Sequence, residues 1–66
     1  MKIDKNKLLI ALNVFKTELL EQQHAIDDRS NALAAAGKYS EASAHSNIWL
    51  TIDRNITSIE KQIKRL

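Results

Sequence analysis

The 66 residues predict an all-α chain, an antiparallel hairpin of two helices, on three observations. Proline is absent and Gly37 is the only glycine, so only one point in the chain is chemically marked as a helix stop. On each side of it the apolar residues recur at spacings of three and four, the period of one helical face. The two stripes also mirror one another about Gly37, so a single register pairs them along their whole length.

The first helix is predicted over about 5–36. Asp4 is placed to cap it, its carboxylate accepting from backbone N–H groups that have no partner in the first turn, with Ile3 and Leu8 disposed as a hydrophobic staple. Its seam is read as Leu8, Leu12, Phe15, Leu19, Gln22, Ile26, Arg29, Leu33 and Ala36, steps of four and three as at the a and d positions of a heptad. Gly37 suits the left-handed residue that closes a helix. Ser40 is then the expected cap of a second helix over 41–65, with Glu41 complementing the positive end of its dipole. The second seam runs Ala42, His45, Trp49, Ile52, Ile56, Ile59, Ile63, Leu66.

Folding at Gly37 sets Leu33 against Ala42, Ile26 against Trp49, Leu19 against Ile56 and Leu12 against Ile63. Between them fall polar layers, Arg29 with His45 and Gln22 with Ile52. Residues of this kind fix register, as a polar group in the seam does in a coiled coil, with the arginine bending outward to water. The small side chains of Ala32, Ala35, Ala36 and Ala42 near the first layer also leave room for an anion or small ligand.

A chain this short makes one domain, 1–66, and two helices alone bury only one stripe each. Cysteine is absent, so no disulfide can compensate. Leu9, Ile10, Val14, Leu20, Ile48 and Leu50 fall outside the seams and form the expected oligomer interface. A homodimer, an antiparallel four-helix bundle, follows as the predicted assembly, with a higher oligomer as the alternative. That plan resembles the hairpin-dimer RNA-binding regulators of plasmids in architecture. Gly37, Tyr39, Glu41 and Ala42 also resemble the interhelical turn of tetratricopeptide repeats, over those few residues only, since helices of this length are about twice too long for that roughly 34-residue unit.

Charge is unevenly spread. Up to residue 16 and from 54 onward stand eight basic and two acidic residues, a balance of +6; the stretch between holds six acidic and two basic, a balance of −4. The hairpin gathers the positive charge at its open end, where Lys5, Lys7, Lys61, Lys64 and Arg65 are the candidate partner- or phosphate-binding residues. Lys61, Lys64 and Arg65 suit the negative end of a helix dipole, whereas Lys5 and Lys7 oppose the positive end of one. A local conflict of this kind is what a binding role imposes.

Function classes narrow mainly by what chemistry needs. Without cysteine, a Gly-rich phosphate loop or a serine disposed beside a histidine and a carboxylate, the sequence predicts no enzyme and no catalytic residue. Glu21, His24 and Asp53 have a loose metal-ligand spacing, but Glu21 and His24 point off the seam, so no metal and no cofactor are expected. The longest apolar run, Leu8 to Leu12, is too short to span a bilayer, and the lysine-rich start lacks the apolar core of a secretory signal; no membrane partner and a cytoplasmic location are expected. The size suggests a small phage or bacterial gene product. The expected role is that of a homo-oligomeric regulator or inhibitor that binds another protein, with a nucleic-acid-binding regulator using the basic end as the alternative and a small-ligand or metal-binding bundle as a further one.

Overall fold

The computed structural model describes residues 4–66 as two helices packed antiparallel, α1 over Lys5–Ala35 and α2 over Tyr39–Arg65. Ile3, the expected staple residue, and Lys2 lie outside the described residues. Asp4 caps α1: its backbone is extended and its Oδ1 accepts from the Asn6 N–H at 2.9 Å.

The turn is closed by backbone alone. Gly37 takes φ +80°, its N–H donates to the Ala34 carbonyl at 3.0 Å, and the Lys38 N–H donates to the Leu33 carbonyl at 2.9 Å. This pair of bonds is a Schellman closure and satisfies carbonyls that the end of α1 would otherwise leave free. So tight a closure carries the chain directly into α2, which begins two residues earlier than expected. Lys38, not Ser40, occupies the cap position and makes no side-chain cap bond. Ser40 lies inside the first turn, where its hydroxyl has no cap role, and Glu41 remains beside the positive end of the dipole.

The core runs along the seam. Leu19, Ile52, Ile56 and Ile59 are buried together, and Leu12, Ile26 and Ile63 pack against them. The stripe of α2 is the predicted one, with Ala42, Ile52, Ile56 and Ile59 buried and His45, Trp49 and Ile63 half-buried; Leu66 is exposed at its end.

The stripe of α1 differs at every second position. Leu12, Leu19, Ile26 and Leu33 face α2 as predicted, but Phe15, Gln22 and Arg29 are exposed, and the neighbours that follow them, Lys16, Gln23 and Ser30, take their places. Two walks of alternating threes and fours run through the same four apolar residues, one passing through Leu8 and the other through Leu9; both leucines are half-buried. The polar residues decide between them. Arg29 in the seam would bury a guanidinium with no acidic group facing it, a cost of several kcal/mol. Ser30 buries only a hydroxyl, and it finds two partners.

Long and thin, the hairpin measures 52 × 18 × 14 Å with a radius of gyration of 15.5 Å. A compact chain of this length would have a radius of about 11 Å. Its accessible surface is 5308 Å², where a compact monomer of its mass exposes about 4,200 Å².

Candidate functional site

Three places on the hairpin could carry function: the polar contacts inside the seam, the basic open end and the broad faces. At the first, Ser30 Oγ donates to the Ala42 carbonyl at 3.0 Å and lies 3.1 Å from Ser46 Oγ. Because Ser30 spends its one proton on the carbonyl, Ser46 is the donor of the second bond. Two turns away, Gln23 Nε2 donates to Asp53 Oδ1 at 3.2 Å. No buried side-chain oxygen or nitrogen among the described residues is left without a partner.

Of the expected Arg29–His45 layer, the arginine turns outward to water and His45 stays at the seam. His45 is half-buried with Nδ1 2.8 Å from the carbonyl oxygen of Glu41, one turn back on its own helix. A carbonyl only accepts, so Nδ1 carries the proton. Ser30 therefore does the register-fixing work expected of Arg29. Nothing in the spacing distinguishes the two; what separates them is burial cost, serine being small enough to let Ala42 approach.

Beside this contact a shallow hollow of about 310 Å³ opens, lined by Ile26, Asp27, Ser30, Ser46, Trp49 and Leu50. That is the lower end of the range for small-molecule sites. It lies on the side of the seam marked by the Ser30–Ser46 bond rather than among the alanines near the turn. Its hydroxyls are already engaged with each other, leaving the Asp27 carboxylate as its one charge beside Trp49 and Leu50. Among the described residues no three of histidine, aspartate and glutamate converge as a metal site would require, and Asp53 faces Gln23.

Lys5 and Lys7 in the first turn of α1 share the open end of the hairpin with Lys61, Lys64 and Arg65 at the end of α2, and all five are exposed. The first turn of α1 holds no acidic residue, while Lys64 and Arg65 occupy the last turn of α2. Lys16 is not part of this cluster in full, being half-buried in the seam, where its hydrocarbon stem can cover apolar surface while the ammonium reaches water.

Of the expected interface residues, Ile10, Val14, Leu20, Ile48 and Leu50 are exposed, and Leu9 is half-buried within the hairpin. The five do not share one face. The Gln23–Asp53 and Ser30–Ser46 bonds mark one broad side of the hairpin; helical position sets Ile10, Leu20 and Leu50 toward that side, Ile48 toward the opposite one and Val14 on the outer edge of α1. Phe15, read from sequence as core, is 50% exposed and joins Ile48 on the opposite side.

No family model, no curated protein and no solved structure matches this chain. No helix of the described residues is long and apolar enough to cross a membrane.

Proposed function

We propose that this chain is a small homo-oligomeric helical protein, a homodimer forming a four-helix bundle, that regulates or inhibits another macromolecule by binding it rather than by catalysis. The observation that carries this is the apolar surface left bare. Ile10, Val14, Phe15, Ile48 and Leu50 are each about half exposed or more. No side chain among the described residues is fully buried. The surface in excess of a compact monomer is about 1,100 Å², more than the roughly 800 Å² that each partner contributes to a stable protein interface.

The solution mass tests the assembly. Replacing Phe15 and Ile48 with glutamate puts charge on the exposed side without touching the intramolecular seam. The double variant is expected to give helical or partly unfolded monomers, while the parent chain runs as a dimer; a dimer that survives the change refutes the assignment of these residues to the interface.

A second reading, a nucleic-acid-binding regulator, is favoured by the placement of Lys5 and Lys7 against the helix dipole beside three further cations. Lys61→Glu, Lys64→Glu and Arg65→Glu together should then abolish retention of short mixed nucleic acids on a native gel while circular dichroism shows the helices intact. Retention equal to that of the parent would dismiss it.

A further inference from the structure

Given the homodimer proposed above, the two broad sides of the hairpin and its charge distribution specify how the second copy sits. The side opposite the Gln23–Asp53 and Ser30–Ser46 bonds carries Ala11, Phe15, Ala25 and Ala32 from α1 and Ala44 and Ile48 from α2, all exposed. Small side chains let helices approach closely, and a single large ring among them can seat against a small neighbour. Four charges share this side, Glu18 and Glu41 against Arg29 and Arg65, and they cancel. The other broad side carries the larger apolar residues Ile10, Leu20 and Leu50, but Asp27, Asp53 and Glu60 outweigh Lys64 there, a like charge that stacking two copies would bring together. At 52 × 18 Å the hairpin offers a face of about 900 Å², which meets the roughly 800 Å² per partner of a stable dimer.

Two closed arrangements stack this face on its own copy. A two-fold axis along the hairpin puts both open ends at one pole; an axis across it puts them at opposite poles. In the first, two ends of +6 lie together, as do two closed ends of −4. In the second, each basic end lies beside the partner's acidic half. We infer that the Phe15–Ile48 face binds a second copy of this chain with the hairpins antiparallel, so that the basic open end of one copy, with Arg65 on the shared side, lies along the acidic half of the other, with Glu41 on that same side.

The chain contains no cysteine, so Lys38→Cys at the turn and Lys64→Cys near the open end each provide one site for a nitroxide label. Pulsed dipolar spectroscopy on dimers of the Lys38→Cys variant should find the two labels at position 38 separated by close to the 52 Å length of the hairpin. In mixed dimers of the two variants, a label at position 38 of one copy should lie much nearer than that to a label at position 64 of the other. A short distance between the two labels at position 38 would overturn the antiparallel arrangement and leave the dimer standing. No distance between copies, with a solution mass of 7.5 kDa, would overturn the dimer itself.

Charge reversal supplies an independent sign. Lys61→Glu with Arg65→Glu takes the open end from +6 to +2. In the antiparallel dimer this raises the dissociation constant, by roughly threefold to tenfold for exposed pairs at low salt, and adding Asp28→Lys and Glu41→Lys in the same chain restores it. If the first pair of changes tightens the dimer instead, the open ends are together and the inference fails. Circular dichroism on each variant confirms that the helices are intact.

Discussion

Ser30 shows how a minor residue settles the contact between the two helices. Its hydroxyl satisfies the Ala42 carbonyl and accepts from Ser46 while remaining 9% exposed. Ser30→Ala should cost about 1 kcal/mol, the net worth of a hydrogen bond, in a urea or thermal titration at fixed chain concentration. Ser30→Arg should cost several times more, because it forces into the seam the kind of group that the fold turns outward at Arg29. Gly37 contributes through backbone conformation rather than packing: a Cβ there would meet nothing within 4 Å, but φ is +80°. Gly37→Ala is therefore expected to lose about 1–2 kcal/mol from conformation alone, with no change in the helical content of the folded state. Ile56, 5% exposed, sits in the middle of the core. Ile56→Ala should cost about 2–5 kcal/mol. In a hairpin with so small a core that loss is enough to abolish the cooperative melt.

At the level of elements, α2 is legible in the sequence and α1 only in part. The stripe of α2 is set off by polar residues except at Trp49, which Ile48 and Leu50 flank, and a single walk of threes and fours fits it. In α1 the run Leu8, Leu9, Ile10 and the pair Val14 and Phe15 put apolar residues on several faces, and two walks fit equally well. The pairing of Leu12, Leu19, Ile26 and Leu33 with α2 is common to both walks and can be read directly. The positions of Phe15, Gln22 and Arg29 cannot, because periodicity counts apolar residues and is blind to which polar residue can be buried with its bonds made. Gly37 as the closing residue is readable from its type. Ser40 does not act as a cap, since the Schellman closure at Gly37 starts α2 at Tyr39 and leaves Lys38 at the cap position. Lysine is a poor cap and carries the wrong charge for a helix start. Lys38→Asp should therefore stabilise the chain by up to about 1 kcal/mol, seen as a rise of several degrees in melting temperature.

For the whole molecule, the decisive quantity is surface. A hairpin 52 Å long with five buried apolar residues among those described is all edge and little interior. Chains of this size hold together by disulfides, metals or association with copies of themselves. Here cysteine is absent, no group of metal ligands converges among the described residues, and large apolar side chains such as Ile10, Val14, Phe15, Ile48 and Leu50 are left bare. The basic end gains a role on the same scale, since charge at one pole and its opposite at the other gives two copies a preferred orientation whether or not a further partner binds there. Light scattering on the purified chain at micromolar concentration tests the central claim most directly. The expected result is a mass of twice 7.5 kDa that falls toward 7.5 kDa on dilution or with Phe15→Glu and Ile48→Glu. A parent chain that stays at 7.5 kDa, fully helical and cooperatively folded at every concentration, would contradict it.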